Sequence, residues 1–401
     1  MNITEKEVKK NCPKCGGVLI DKGLRKREII TIFGSVTINR NYFRCSKCHT
    51  NHYPDDERLN ISRSMSSKYF AKICSQMLIF MPFEHAAKLL KEIYHYEVSE
   101  TFLKDLSETI GIKLYKESEK KSRMPYNLDG CDTPIDIMYI HADGAMVPIL
   151  GEDGIEYREN KLGLVYTSDD IAEKTLDSGK KRVKISNKRY VSSIGEGVEP
   201  FKKMLYACAL ENGYRRSRKA IFLTDGAIWL KKLKDDFFPD ALHILDWYHA
   251  VDHLWGAAKS IFGESNYAAC AEWVAPKKEL LWDGKVDSVI KQLTEEGLKS
   301  NKHQTAFFEL RSYYMSNKES MRYDQFRFKG YYIGSGAIES ANKYIVADRL
   351  KRTGMRWTLQ HANALIWLRC KYFEERWDAF WDSMKLSDFL DHKYSTHEEA
   401  A

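Results

Sequence analysis

Three acidic residues and two pairs of cysteines are the parts of this chain best suited to chemistry. Asp143 follows the apolar run Ile-Met-Tyr-Ile and precedes a glycine, Asp225 follows Ala-Ile-Phe-Leu-Thr and precedes another, and Glu339 follows Gly-Ser-Gly where a helical pattern begins. Carboxylates at the ends of apolar strands and at the head of a helix can converge although far apart in sequence. Such a trio suits phosphodiester chemistry, in which hard oxygen ligands hold two Mg²⁺ (or Mn²⁺) ions about 3.5–4 Å apart, against the attacking and the leaving oxygen. The bland alternative for each Asp-Gly pair is a turn, and for Glu339 an exposed helix acid paired with Lys343. Ser335 is expected to cap that helix and so place Glu339 near its positive end. Asp132 and Asp136 compete for the first position; Asp143 is preferred because it is read as closing the strand in an Asp-Gly hairpin turn.

Four of the nine cysteines form two Cys-x-x-Cys knuckles, Cys12/Cys15 and Cys45/Cys48, with 29 residues between them. Paired knuckles point to a tetrahedral Zn²⁺ site, with a redox pair or unpaired thiols as the alternatives. Between them, Ile29–Phe33 and Ser35–Phe43 alternate apolar with polar residues about Gly34, which predicts the hairpin of a zinc ribbon. Arg25, Lys26, Arg27, Arg40 and Arg44 on that hairpin suit either phosphate contacts or solubility.

The elements that must position these residues follow from composition and periodicity. A chain of 401 residues, 43% hydrophobic, can form two or three domains. No apolar stretch reaches the roughly 20 residues needed to span a bilayer, so a cytoplasmic protein without membrane partners is expected. A formal charge of +7 and a pI near 8.7 are compatible with a polyanionic partner without requiring one. Phe70, Ile73, Met77 and Phe80 have helical spacing, Phe83 to Ile93 continues it, and Ser99 is expected to cap a third helix that stops at Gly111. The last two form either a helix-turn-helix, with Ser99, Glu100, Thr101 and Lys104 leading into a groove, or an ordinary packing unit. From about 133 the order is strand (135–142), strand (146–150), two further strands (161–166 and 189–193), helix (199–211), strand (220–223), helix (229–236) and strand (241–245). An antiparallel meander followed by helix, strand, helix and strand is the order expected of an RNase H-like α/β core. A mostly helical insertion over about 256–325 has Trp255, Trp273 and Trp282 for its core. The expected multidomain α+β layout is thus a zinc ribbon (1–60), a helical, DNA-binding region (61–125), a core in two parts (126–255 and 326–390) around the insertion, and a disordered tail (391–401).

The Cys-Pro-x-Cys-Gly start, Leu-Thr-Asp-Gly-Ala, Ile-Leu-Asp-Trp-Tyr-His, and Gly-Ser-Gly-Ala-Ile-Glu-Ser-Ala followed by Arg-Leu-Lys-Arg-Thr-Gly-Met-Arg-Trp together resemble bacterial ISKra-type insertion-sequence transposases, from Cys12 to about Trp357. The resemblance implies a DDE transposase in which Asp143, Asp225 and Glu339 bind the catalytic Mg²⁺. The first of these would bridge both ions. Asp246 and His249 match an Asp-x-x-His motif shared with some mutator-like transposases; they could assist catalysis or simply tie a strand to the next helix. His253 makes a second histidine one turn on. Arg349, Lys351, Arg352 and Arg356 with Trp357 suit phosphate contacts and stacking on an unpaired base, or a solvated helix face with a core tryptophan. The implied partners are DNA, as element ends and target, and further copies of the chain, acting at the bacterial nucleoid. Two other readings use the same residues: a nuclease or resolvase that cuts without joining, and a DNA-binding protein whose catalysis has lapsed.

Overall fold

The computed structural model describes residues 11–59, 61, 66–95, 97–124, 134–175, 181–195 and 197–384. Asp132 and the expected tail at 391–401 lie outside them. The chain divides into two compact bodies, one comprising residues up to Lys116 together with those from Gln360, the other Glu117–Leu359.

The first body opens with strands β1 (Leu19–Thr31) and β2 (Gly34–Cys45), an antiparallel hairpin in which Ile29 faces Val36 and Leu19 faces Cys45. Gly34 closes the turn at φ +100°, a conformation that side-chain-bearing residues rarely adopt. The short β3 (Asn51–His52) adds to β2, and α1 (Pro54–Arg58) follows. Arg27 and Arg40 both pair with Asp56 of α1, and the Arg40 guanidinium lies 3.9 Å from the Tyr53 ring centroid. Those two cations hold the hairpin together, whereas Arg25, Lys26 and Arg44 are exposed.

Three helices follow: α2 (Lys68–Phe80), α3 (Phe83–Tyr94) and α4 (Glu100–Ser122). Ser99 caps α4 as expected, accepting the Phe102 N–H at 3.1 Å, and Ser99, Glu100, Thr101 and Lys104 are all exposed. The buried face of α2 is Phe70, Cys74 and Leu78, which pack with Ala86, Leu90 and Leu103; Phe80 is outside. The spacing therefore identified a helix but placed its apolar stripe about a residue off. Gly111 does not stop α4. A Cβ there would lie 2.0 Å from the carbonyl oxygen of Ala364, so this glycine is the point of closest approach to another helix.

The second body is built on one mixed sheet. β4 (Ile135–Gly151) and β5 (Gly154–Thr167) form a hairpin, β6 (Ile171–Thr175) and β7 (Lys181–Ile185) a separate two-stranded ribbon, and β8 (Arg189–Ile194) returns beside β5. Next come α5 (Glu199–Glu211), β9 (Ser217–Thr224), α6 (Ile228–Phe237) and β10 (Leu242–Leu245). The sheet order is β10-β9-β4-β5-β8; β5 is antiparallel to both its neighbours, and β4, β9 and β10 are parallel. Ala220 to Leu223 is buried throughout, as a central parallel strand covered on both faces should be. One expectation is overturned: Asp143 and Gly144 make no hairpin turn. They lie within β4, where Asp143 pairs with Leu162 and Gly144 with Lys161, and the chain reverses at Gly151–Gly154. An Asp-Gly pair signals a turn only when no neighbour offers its backbone a ladder, and here β5 does so without interruption. The β6–β7 ribbon was not foreseen from sequence.

The inserted helices are α7 (Trp247–Phe262), α8 (Tyr267–Trp282), α9 (Val286–Lys299), α10 (Gln304–Asn317) and α11 (Tyr323–Phe328). Their core is mixed: Val274, Leu281, Val289, Leu293 and Leu310 are buried with Phe307, Tyr314 and Tyr323, and Trp273 packs edge-on against Phe307, while Trp282 is 39% exposed. Trp255 stacks on Tyr267 instead of filling the interior. The chain then forms α12 (Gly336–Ala341), a π-helical stretch (Asn342–Ala347) and α13 (Asp348–Leu350).

Beyond it, α14 (Leu359–Phe373) and α15 (Trp377–Ser383) belong to the first body from Gln360 onward, not to the sheet. Ala364 receives Gly111, Trp367 meets Tyr115 edge-on, and the buried Arg369 donates to the carbonyl of Ile79. Aromatic residues at helical spacing specify a buried face without naming the partner that covers it. Among the described residues, no helix is long and apolar enough to cross a membrane.

Candidate functional site

Strand register builds the acidic site. His141 pairs with Leu223 across β4 and β9, and Thr224 with Leu245 across β9 and β10. Extending each ladder by one or two residues puts Asp143, Asp225 and Asp246 level with one another on three adjacent strands. Parallel neighbours at one level face the same side and stand about 4.8 Å apart. Gly226 then turns the chain at φ +87°, and Asp225 Oδ1 accepts the Ala227 N–H at 2.8 Å, an Asx-type turn that fixes its carboxylate. The Tyr313 hydroxyl donates to the Asp225 carbonyl oxygen at 2.7 Å and anchors the insertion to this strand end.

Asp246 is fully buried and caps α7: its Oδ2 accepts the His249 N–H at 2.8 Å, and its Oδ1 accepts the Ser335 N–H at 2.6 Å. It thus ties β10, α7 and the loop leading to α12 together and sets His249 and Glu339 relative to the sheet. Ligand atoms of Asp246, His249 and Glu339 lie within 4.8 Å of one another. Ser335 does not cap α12 through its side chain; its hydroxyl donates to Glu339 Oε1. One turn beyond Glu339, Asn342 Nδ2 donates to Asp143 Oδ2 at 2.6 Å, so α12 and the π-helical turn lie over β4. A π-helical turn at this point widens the helix where its side chains must meet the sheet acids.

Burial raises the pKa of Asp143 above the usual carboxylate range, the Gly144 N–H opposes the shift, and the charge of Asp225 adds to it. Burial likewise raises that of Asp246, against the N–H groups of His249 and Ser335. Crowded, partly desolvated carboxylates of this kind are held ionised by a cation. The donor set, carboxylates with one imidazole, fits a divalent ion that prefers oxygen, such as Mg²⁺ or Mn²⁺. Asp136, the rival for Asp143 in the described residues, pairs instead with Arg218 at 2.6 Å at the far end of β4. His253 stacks on Tyr313 with 3.9 Å between ring centroids, and burial lowers its pKa.

The downstream basic stretch separates into two groups. Arg349 is fully buried and Trp357 is 4% exposed, with the guanidinium 4.9 Å from the indole centroid. Both turn inward, which overturns their reading as surface contacts: a guanidinium and an indole that cover each other present no face to a base or a phosphate. Lys351, Arg352 and Arg356 are exposed.

In the first body the four cysteines gather as expected, with Cys12 Sγ 3.7 Å from Cys48 Sγ and Cys15 Sγ 3.5 Å from Cys45 Sγ. A tetrahedron of thiolates about 2.3 Å from Zn²⁺ has edges of about 3.8 Å, so the cluster fits that ion. The Cys45 sulfur accepts N–H groups of Lys47 and Cys48, both at 3.4 Å, and its pKa is lowered, chiefly by the latter. That of Cys48 is pulled down to about 6, first by the Thr50 hydroxyl and then by its backbone. Cys15 receives a backbone hydrogen bond from Gly17, yet its pKa is pushed up to about 11 by the Cys48 thiol, burial and the other two thiols. Four thiols this close resist losing all their protons unless a cation compensates. His52 Nε2 lies 3.2 Å from Cys12 Sγ. Sequence reading passed over His52 and Asn342 and gave Ser335 only a capping role; the signals were a histidine four residues after the second knuckle and a polar residue one turn after Glu339.

No curated protein sequence matches the chain. Residues 18–378 match the family model described as Uncharacterised protein family (UPF0236), which spans the hairpin, the helices and the whole acidic site, and the chain belongs to that family.

Proposed function

We propose that this protein is a DDE transposase that binds the ends of its own mobile element and catalyses metal-dependent DNA cleavage and strand transfer. The observation that carries this reading is the strand register that brings Asp143 of β4, and Asp225 and Asp246 just past β9 and β10, to one level, with His249 and Glu339 within 4.8 Å of Asp246. A five-stranded sheet in the order β10-β9-β4-β5-β8, with a meander on one side and two parallel strands on the other, is what an RNase H-like core requires. The family's association with transposase-like proteins and the sequence resemblance to ISKra-type transposases agree with it.

On this reading Asp143, Asp225 and Glu339 hold the catalytic Mg²⁺, which when bound stabilises charge on the attacking and leaving oxygens of the phosphodiester. Asp246 positions His249 and Glu339 through its two backbone hydrogen bonds, and Asn342 orients Asp143. The cysteine cluster holds Zn²⁺ and makes a rigid hairpin of β1 and β2. That hairpin and the exposed start of α4 offer Arg25, Lys26, Arg44 and Lys104 to the element ends. Lys351, Arg352 and Arg356 lie downstream of Glu339 for phosphates near the cut. Two ends must be joined, so more than one copy acts together.

The test is excision and reinsertion of a marker flanked by the DNA that brackets the gene, comparing the wild-type chain with Glu339→Gln. Sequenced junctions from wild type alone support the assignment. Junctions from both would remove Glu339 from the mechanism, and cut but unjoined DNA would favour a nuclease or resolvase.

A further inference from the structure

Two cavities flank the Asp246–His249 turn, and their linings differ in charge. One, of about 480 Å³, is bordered by His249, Asp252, His253 and Glu309, with no lysine or arginine among the described residues of its wall. The other, of about 600 Å³, is lined by Trp247, Tyr248, Trp282, Tyr331 and Tyr332 together with Lys188 and Arg327, with no carboxylate among the described residues of its wall. Its floor is the Gly334–Ala337 segment that leads into Glu339. The cation-free, carboxylate-bearing cavity repels a phosphate chain; the aromatic and cationic one suits it.

Within the second cavity the aromatic groups are not equivalent. Trp282, 39% exposed, is already engaged, with the Arg327 guanidinium 3.8 Å from its ring centroid and Trp247 against it edge-on at 4.9 Å. Tyr248 is 58% exposed and is braced from below, since a Cβ on Gly334 would come within 2.9 Å of its ring. Trp247 lines the same cavity, whereas Asp246 and His249 on the same turn gather with Glu339. One turn of α7 therefore presents catalytic groups on one side and an open aromatic face on the other.

Resting on the strand-cleaving reading above, we propose that this cavity receives an unpaired base of the DNA strand being cut. Tyr248 is the stacking platform, and Lys188 and Arg327 hold the adjoining phosphates. Stacking is sequence-tolerant because every base has a π-face, and it contributes enough that removing one platform weakens single-strand binding by roughly five- to hundredfold.

The test uses the full chain with fluorescein-labelled dT₁₂ for affinity and the same oligomer carrying one 5-iododeoxyuridine for photocrosslinking, with adducts mapped by mass spectrometry. The expected result is an adduct on Tyr248, about tenfold weaker binding by Tyr248→Ala, and near wild-type binding by Tyr248→Phe. An exposed side chain is replaced, so the fold survives; an unchanged thermal shift with Mn²⁺ verifies it. Adducts confined to the cysteine hairpin or the α2–α4 helices, or undiminished binding by Tyr248→Ala, would overturn the inference while leaving the metal site and the proposed activity standing. Failure of the wild type to bind either dT₁₂ or duplex DNA would overturn both.

Discussion

Neutralising one sheet acid should stabilise the metal-free protein. Asp225→Asn keeps the side-chain oxygen that accepts the Ala227 N–H, so the turn after β9 is retained and only the charge is lost. Unit charges about 5 Å apart at an effective dielectric near 20 repel by about 3 kcal/mol. Screening by salt and solvent reduces this to about 1–2 kcal/mol. The body containing the site spans Glu117–Leu359, and for that size 1 kcal/mol moves Tm by about 2–4 °C. Calorimetry in a chelating buffer should therefore place its transition about 2–8 °C above wild type. Mn²⁺ at 100 times its Kd should add about 2.7 kcal/mol to wild type, and little to the variant. A lower Tm for Asp225→Asn in chelator, or the same Mn²⁺ increment in both proteins, would refute the convergence of these carboxylates on one cation site.

Removing Zn²⁺ with a strong chelator, or replacing Cys45 with Ser, should unfold the β1–β2 hairpin while leaving the sheet-bearing body intact, because such ions carry most of the folding energy of small cysteine sites; one Zn²⁺ per chain by native mass spectrometry, and selective loss of hairpin amide protection, would check this. Asn342→Ala should weaken Mn²⁺ binding about 10- to 100-fold by releasing Asp143, with little change in the chelated Tm, as calorimetric titration would measure. His243 bridges Thr224 and Ser320 with both ring nitrogens, and burial lowers its pKa to about 4. The folded state thus binds fewer protons than the unfolded one below about pH 6.5, so stability should fall as pH drops from there toward 4, by about 3 kcal/mol in all. His243→Gln should flatten that part of a urea-denaturation series across pH.

The sequence by itself determined the local features: knuckles, helix spacing, the cap at Ser99, the apolar strands and the acids that follow them. Knuckle cysteines and caps act within a few residues, and the run Ala220–Leu223 is legible because a buried central strand is apolar on both faces. Tertiary structure decided what depended on a partner. Asp143-Gly144 became strand because β5 paired with it, Gly111 became a helix crossing because Ala364 meets it, and Arg349 and Trp357 turned inward because each covers the other. Asp246, marked in the sequence by its Asp-x-x-His motif with either of two roles, stands at the site because the register of β9 and β10 brings it level with Asp225. Backbone pairing between distant segments sets that level, and no spacing along the chain encodes it.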